Sequence, residues 1–412
     1  MLPLKKHNPL ADTAAFCFIL IATIGPAITS ATSQEAYPAI RAAAIVLFVA
    51  IIAWWLTVSR AKSQLLIFVV FVMCLYGVGL ARASDDFFER SSLWSVCQTL
   101  FLIIAGGLVM SMSVGFRHRS TLPLLCVLYG IILLVSAEMT GGLVLLPIPS
   151  FVYDIYDASG SQSSYSQGVS FVFGLVAIAS FYGASRAGRG SEKLLYFVAT
   201  AAFSMFCFIG GGRGEFVFFV VTLLSILIVG RSGALLRMAL ILLPFIYLTL
   251  PIIRPILADL LSETVAFGRF SDIVMSSDLG HRDVLFGQAL MLLWEKPECF
   301  LAGCGISYFQ DFYGYEQGMY PHNIVLESIL TWGVLVFLSV AGFAWVGWKG
   351  ALEALGLIFW FGVYALLVSL KSGDLLSNWL AVSFVLFLAG RGCLRTFSRH
   401  PQSKLIDERA VT

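Results

Sequence analysis

Twelve long apolar stretches constrain the fold of this 412-residue chain more than any other feature of its sequence. A helix crosses a bilayer with about 17 to 25 predominantly apolar residues. Stretches of this kind cover residues 13–30, 38–58, 64–82, 93–114, 121–140, 167–184, 194–210, 215–230, 235–253, 322–342, 351–370 and 376–390. Only 12% of the residues are charged, about half the fraction of an average soluble protein. The sequence therefore predicts an all-α polytopic membrane protein with about 12 transmembrane helices in a single integral membrane domain, residues 1–412.

The basic residues set the expected orientation, because Lys and Arg collect in cytoplasmic loops. With the N-terminus inside, most of the 26 Lys and Arg residues fall on the inner face. We therefore expect both termini in the cytoplasm, with residues 392–412 as a cytoplasmic tail. No small-residue cleavage site follows the first apolar stretch, so it is predicted to be a retained helix. The net charge of +2 reflects this orientation and does not indicate nucleic-acid binding.

Two outer connections are long in this topology, whereas the inner ones are short and basic. Residues 141–166 are rich in Gly, Ser, Tyr and Pro, which predicts an ordered turn followed by a flexible lid. Residues 254–321 form the large periplasmic loop, and DVLFGQALMLLWEKP within it has the apolar spacing of a helix. Loops of this length are functional or disordered, and the aromatic residues from Tyr308 to Tyr320 argue against disorder.

Arg213 lies in IGGGRGEF, between two apolar stretches. Gly212, Gly214 and the two glycines before them would let the backbone turn sharply and approach a ligand closely. EFVFFVVTLL then begins a helix, whose free N–H groups and dipole would point to the same place as the guanidinium group. The pattern suits a phosphate or pyrophosphate at the outer interface. The structural alternative is a glycine-softened hairpin tip with one solvated arginine.

Three further arginines lie on the predicted outer side. Arg282, in LGHRDVLFG, precedes the predicted helix of the large loop and could bind an anion or pair with a local carboxylate. Surface pairs of the latter kind contribute little to stability. Arg254 follows the end of a span and could be an ordinary interface anchor, and Arg269 lies within the loop. Both are weaker candidates than Arg282.

His322 is the candidate general base, in the segment YPHNIVLESILTWG. It is predicted at the start of an outer-face helix, where an imidazole with a pKa near 6.5 is partly neutral and able to accept a proton. Asn323 and Glu327 are four residues apart, so they share one helix face and could bond to each other or to a sugar hydroxyl. The structural alternative is a capping histidine, with Asn323 satisfying the start of the helix.

Metal and nucleotide sites have no support in the sequence. The outer loops contain no compact Asp-x-Asp pair, and no His/Cys cluster has the spacing of zinc ligands. No glycine-rich nucleotide-binding motif occurs. We therefore expect no metal and no cofactor. Cys299 and Cys304, in CFLAGC, fall on the outer side, where an oxidising periplasm would permit a disulfide.

Taken together, three segments resemble the O-antigen polymerase and O-antigen ligase superfamily of bacterial polysaccharide assembly. The segments are GGGRGEFVFF, the loop GHRDVLFGQALMLLWEKPECFLAGCGISYF and PHNIVLESILTWG. The resemblance covers residues 205–340 by motif and the remainder by helix count. It implies a glycosyltransferase-C-like fold in the bacterial inner membrane, with the active face in the periplasm.

The resemblance also implies a reaction, in which a glycan moves from polyprenyl pyrophosphate to an acceptor hydroxyl without metal or nucleotide. By position, Arg213 and Arg282 would grip the pyrophosphate and His322 would be the base, while Arg254 and Arg269 are further pyrophosphate candidates. Attack opposite the pyrophosphate would invert the anomeric centre. Membrane lipid, a chain-length regulator and a flippase are the other partners that the resemblance allows. The supporting residues would be Asn323, Glu327, Gly212 and Gly214.

Alternatives remain at two levels. A polymerase extends a repeat unit on its own polyprenyl carrier, whereas a ligase transfers the glycan to the lipid A core; the GGGRGEF form favours a polymerase. A transporter of polysaccharide or lipid-linked oligosaccharide is the alternative from a different class. Transporters place polar groups near the bilayer midplane on broken helices, often in repeated halves. Here the polar residues are predicted at the outer rim, which favours transfer.

Overall fold

The computed structural model describes eleven stretches of the chain, and everything below refers to them. They are residues 9–28, 36–58, 62–90, 93–114, 121–139, 143–144, 150–151, 167–229, 282–315, 320–372 and 375–398. These residues are almost entirely helical. The exception is an antiparallel pair of two-residue strands, β1 (Leu143–Val144) and β2 (Ser150–Phe151), with Leu143 opposite Phe151.

Seventeen helices follow one another in the described residues. They are α1 (Pro9–Ile28), α2 (Ala36–Val58), α3 (Lys62–Ala81), α4 (Asp85–Arg90), α5 (Leu93–Ser113), α6 (Thr121–Met139), α7 (Gln167–Arg186), α8 (Gly190–Ile209), α9 (Arg213–Val229), α10 (Arg282–Glu295), α11 (Pro297–Ala302), α12 (Tyr308–Tyr313), α13 (Ile324–Trp332), α14 (Val334–Trp348), α15 (Ala351–Leu355), α16 (Leu357–Ser372) and α17 (Trp379–Ser398).

Five segments of these helices are long and apolar enough to cross a membrane. They are Val96–Ser113, Thr121–Met139, Gln167–Arg186, Gly190–Ile209 and Trp379–Thr396. Shorter apolar segments occur in α1, α2, α3, α14 and α16. The chain is therefore an all-α membrane protein. Each predicted span overlaps a described helix except 235–253, which lies outside the described residues.

Contacts divide the chain into two compact units. The first unit comprises Met1–Lys6, Ile51–Arg117 and Gly280–Thr412, and the second comprises His7–Ala50 and His118–Leu279. The second unit is organised around α7, which contacts α1, α6, α8 and α9. Because α7 is apolar or small on every side, every residue from Val172 to Ala184 is buried.

An aromatic cluster ties the strand pair to the core of the second unit. Phe151 of β2 lies against Phe173 of α7 and Phe206 of α8, with ring centroids 5.9 and 6.1 Å apart. Phe203 stacks on the same Phe173 ring. The start of the predicted loop 141–166 is thus anchored to the helices, while the predicted lid lies outside the described residues.

The first unit is organised around α17, which contacts α3, α5, α14 and α16. The closest of these contacts is with α14, where Gly347 and Gly392 face each other across the two helices. A Cβ atom on Gly347 would collide with the carbonyl oxygen of Leu388, and one on Gly392 with that of Phe343. Small residues let helix backbones approach in this way in membrane proteins.

Three sequence predictions need correction in the first unit. The predicted span 322–342 is divided at Gly333, which has a φ of 83°, into α13 and α14. The predicted span 351–370 is divided at Gly356, with a φ of 58°, into α15 and α16. Glycine adopts positive φ readily, and hydropathy alone does not reveal such breaks. In addition, α17 continues to Ser398, so the predicted tail 392–412 begins as a helix.

Candidate functional site

Arg213 is the first residue of α9 and is partly buried. The turn before it runs through Gly210, Gly211 and Gly212, and Gly211 has a φ of 77°. The Phe216 N–H donates to the carbonyl oxygen of Gly212 at 3.1 Å, which begins the helical pattern. The predicted helix start after the glycines is therefore confirmed.

The glycines before Arg213 serve packing against α7. The Gly212 N–H donates to the Ser170 hydroxyl oxygen at 2.9 Å in a buried setting. A Cβ on Gly212 would lie 2.7 Å from Ser170 Cβ, and one on Gly210 would collide with Ser170 Oγ. Helix packing thus accounts for these two glycines without a ligand. Gly214, in the first turn of α9, is partly buried.

Glu215 is a buried carboxylate that the sequence analysis did not select. It lies in the first turn of α9 and only 1% of its surface is exposed. A Cβ on Gly212 would be 2.6 Å from its Oε2 atom, so the carboxylate folds back over the start of the helix. Negative charge is favourable at a helix N-terminus. An acid two residues after an arginine, at the start of an apolar run, is the signal that could have indicated it.

His322 lies immediately before α13, with Asn323 as the N-cap residue. Its φ of 51° places it in the left-handed region, which only Ser307 shares among the described non-glycine residues. That conformation raises the energy of a residue with a Cβ by roughly 1–2 kcal/mol. Its ring lies 3.8 Å, between centroids, from the ring of Tyr320. The histidine predicted to begin the helix thus lies just outside it, in a strained and aromatic-packed position.

Asn323 acts through its amide group on the backbone. Its Oδ1 atom accepts from the N–H groups of Val325 at 2.9 Å and Leu326 at 3.2 Å. Its Nδ2 atom donates to the carbonyl oxygen of Leu370 in α16 at 2.9 Å. The structure therefore supports the capping role of Asn323, and the bond it shows between Asn323 and Glu327 is the backbone one, from the Glu327 N–H to the Asn323 carbonyl oxygen at 3.1 Å. Glu327 itself is buried, with 4% of its surface exposed.

The far end of α13 is held by the segment that follows α11. The N–H groups of Cys304 and Gly305 donate to the carbonyl oxygens of Leu330 and Thr331, at 2.7 and 3.3 Å. The last carbonyls of a helix otherwise lack partners. The turn from Gly303 to Gly305 in the large loop thus caps α13 at the end opposite His322.

A disulfide joins Cys299 of α11 to Cys304 of this turn, as the sequence allowed. Arg82, after the end of α3, donates to the carbonyl oxygens of Ala302 and Gly303. The local sequence gives no sign of this role of Arg82, because the role depends on a contact 221 residues away along the chain. One covalent bond and one cation therefore brace the turn on which α13 rests.

Arg282 is the first residue of α10 and is partly buried, which confirms the predicted helix after it. Residues of α10 and α13 share an apolar cluster that includes Ala289, Leu292, Leu326 and Leu330. The helix that carries Arg282 therefore packs against the helix that follows His322.

Of the other predicted anion ligands, the structure describes Arg213. Arg213 belongs to the second unit, whereas Arg282 and His322 belong to the first. Arg254 and Arg269 lie outside the described residues. In the described ranges, no group of three His, Cys, Asp or Glu side chains is arranged to hold a metal ion.

Two tyrosines of α12 add polar groups beside α10 and α13. Tyr308 and Tyr313 pack against the shared apolar cluster, and the Tyr313 hydroxyl donates to the carbonyl oxygen of Gln288 at 3.3 Å. Burial raises the pKa of both phenols; Glu298 and Asp311 add to the effect at Tyr308, and Glu295 at Tyr313. Both side chains therefore stay protonated at neutral pH and can donate hydrogen bonds.

Comparison with known proteins does not extend this description. No family model matches the chain, and no curated protein matches it either.

Proposed function

We propose that this protein is a polymerase of surface polysaccharide repeat units, with His322 as its base. The observation that carries the proposal is the strained backbone of His322, packed on Tyr320 at the start of a braced helix. Residues in sparsely populated backbone regions persist where their surroundings hold them, and they cluster at active sites. The sequence resemblance of GGGRGEFVFF, the large loop and PHNIVLESILTWG to the O-antigen polymerase and ligase superfamily is the second support for the proposal.

The proposed topology contains more membrane spans than the described helices show. It has about 12 spans in a glycosyltransferase-C-like arrangement, in the bacterial inner membrane, with both termini cytoplasmic. The active face would be periplasmic. The Cys299–Cys304 disulfide supports this side for the large loop, because disulfides persist in oxidising compartments such as the periplasm.

The proposed step is the transfer of a glycan without metal or cofactor. The oxygen of an acceptor sugar hydroxyl forms a bond to the anomeric carbon, and the bond from that carbon to the pyrophosphate oxygen breaks. The hydroxyl proton moves to the imidazole of His322. Polyprenyl pyrophosphate leaves with the electron pair, and attack from the opposite face inverts the anomeric centre.

The leaving group needs charge stabilisation more than a proton. Arginine guanidinium groups can provide that through bidentate hydrogen bonds to phosphate oxygens. Arg213 and Arg282 are the first candidates and Arg254 and Arg269 the others. The donor and acceptor would both be polyprenyl-linked glycans, and a flippase and a chain-length regulator would be partners in the same assembly.

A gene deletion, complemented with variants, tests the proposal by gel analysis of the surface glycan. We expect His322→Ala and Arg213→Ala each to abolish the ladder of long chains while membrane expression stays normal. His400→Ala, in the polar C-terminal segment, is the matched histidine control and should restore the ladder. Normal ladders with both site variants would contradict the mechanism.

The deletion itself separates the alternatives. A lipid A core that carries a single repeat unit indicates a polymerase, whereas bare core with retained carrier-linked polymer indicates a ligase. Purified protein in detergent distinguishes glycan transfer from transport, because a micelle does not separate two compartments between which a substrate could be moved. Elongation of polyprenyl-linked units in micelles supports transfer, and a protein that only moves such units between the leaflets of vesicles contradicts it.

A further inference from the structure

The outward face of α10 is apolar although nothing in the described residues covers it. Ala289, Leu292 and Leu293 of this helix are buried against α13. On the other side, Trp294 is 88% exposed. The same exposed side carries Val284, Phe286, Leu290 and Met291. A helix between a protein core and water normally has a polar outer face, so this face is adapted to a different environment.

The charged residues of α10 are confined to its ends. Arg282 and Asp283 lie in the first turn, and Glu295 and the adjoining Lys296 follow Trp294. Two of these side chains are basic and two are acidic. The centre of the outward face therefore has no charge, and the segment has no excess of either sign.

The next two helices, α11 and α12, also expose apolar side chains. Phe300 and Leu301 of α11 are exposed, as is Phe312 of α12. The α10–α12 segment thus exposes eight large apolar side chains, whereas a single exposed apolar side chain would need no explanation.

Direct contacts place this segment beside the end of an apolar helix. The Ile306 N–H donates to the carbonyl oxygen of Gly79 in α3 at 3.0 Å. Arg82 donates to the Gly303 carbonyl oxygen at 3.0 Å. Along its length α3 exposes Leu66, Val70, Met73 and Val78, as expected of a helix that faces lipid. Arginine and tryptophan are typical where such helices leave the hydrocarbon.

We propose that the outward face of α10, continued by Phe300 and Leu301, rests in the headgroup–acyl boundary of the bilayer. The occupant is the lipid surface, and apolar burial drives the contact instead of charge. Interfacial helices lie in the membrane plane with their apolar face buried about 5–10 Å deep. The contact holds α13, and with it His322, close to the membrane surface. It depends on membrane embedding and not on the proposed transfer reaction.

Bromolipid quenching of Trp294 tests the contact in the full-length protein. The protein is placed in nanodiscs of phosphatidylcholine, with or without bromine on the acyl chains. Because the chain has nine Trp residues, the Trp294 signal is taken as the difference between the wild type and Trp294→Phe. We expect blue-shifted emission and at least about twofold quenching by brominated lipid. Emission at the wavelength of water-exposed indole would overturn the proposal. So would blue-shifted emission without quenching, which means that protein covers the face.

A charge in the centre of the face provides a second test. Leu290→Glu replaces a half-exposed side chain on the face away from the apolar cluster, so the fold should stay intact. We expect it to lift the helix from the lipid and reduce Trp294 quenching about twofold or more. Glu295→Lys, at the end of the helix, is the control and should leave quenching unchanged. Unchanged quenching in Leu290→Glu would overturn the proposal. A strong increase in quenching when anionic lipid is added to the nanodiscs would also overturn it, because the proposed contact is apolar.

Discussion

The turns before α9 and before α13 each bring a basic residue to the start of a helix whose first turn contains a buried glutamate, yet the two turns are built differently. Before α9, glycines make the turn and fit against Ser170. Before α13, His322 adopts a left-handed backbone although it has a Cβ, and Asn323 caps the helix. Packing against Ser170 accounts for the first turn, whereas the second turn keeps a side chain at a φ that glycine adopts more readily. His322 is therefore the residue whose replacement tests the proposed function most directly.

Replacing the imidazole should have the largest effect. His322→Ala and His322→Gly should both lower the rate of glycan transfer by about 10²–10⁴-fold, the range for loss of a general base. Glycine suits the φ of 51°, so His322→Gly should be about 1 kcal/mol more stable than His322→Ala. Chain-length gels and thermal unfolding in detergent measure the two effects separately. If His322→Gly retained activity, the position would be selected for its backbone and the comparison would fail.

Crowding the first turn should destabilise the protein without a specific effect on chemistry. Gly212→Ala would push a methyl group against Ser170 and Glu215, and overpacking of this kind lowers the free energy of unfolding by about 1–3 kcal/mol. Gly190→Ala, where a Cβ would meet no atom within 4 Å, is the matched control. It should be neutral or slightly stabilising. A neutral Gly212→Ala would refute the packing explanation of this turn.

Removal of the disulfide should loosen the support of α13. The bond closes a short loop, with a sequence separation of 5 between its cysteines, for which chain entropy gives about 2 kcal/mol. The double variant Cys299→Ser/Cys304→Ser should unfold at a correspondingly lower denaturant concentration. Cys74→Ser, an exposed free cysteine in the same unit, is the control. Equal midpoints in both variants would mean that backbone hydrogen bonds alone hold the turn.

Loss of the N-cap should have the smallest effect. Asn323→Ala removes the acceptor of two backbone N–H groups and should lower stability by about 1 kcal/mol. Asn323→Asp keeps that acceptor and loses only the donor to Leu370, so it should be closer to wild type. A larger loss of activity than of folded protein in Asn323→Ala would indicate that the cap also positions His322.

Most of the helical architecture could be predicted, because apolar length is a local property of the sequence. The break before Arg213, the helix after Arg282 and a Cys299–Cys304 disulfide were all predicted or allowed. The breaks at Gly333 and Gly356 were not, since both lie within runs of uninterrupted hydropathy. Gly333 is needed because the backbone at Leu301 and Ala302 passes so close that a Cβ would collide. Such a requirement arises only from tertiary contact.

The candidate site could be predicted only in part for the same reason. The sequence located His322 and Asn323, but whether Asn323 faces a substrate or the backbone depends on Leu370 of a distant helix. Arg82 acquires its role from Ala302 and Gly303, which are distant along the chain. The position of a charged residue next to an apolar run therefore predicted only some of the buried polar groups.

The backbone contact between α14 and α17 has a consequence for tracing the ancestry of this chain. Any residue larger than glycine at position 347 or 392 would collide with the backbone of the facing helix. Selection should therefore eliminate substitutions of Gly347 and Gly392 in descendants that keep the fold. Apolar positions elsewhere in these helices can exchange Leu, Ile, Val and Phe with little penalty and lose all detectable similarity. The two glycines, 45 residues apart, should therefore outlast the surrounding sequence and mark distant relatives together.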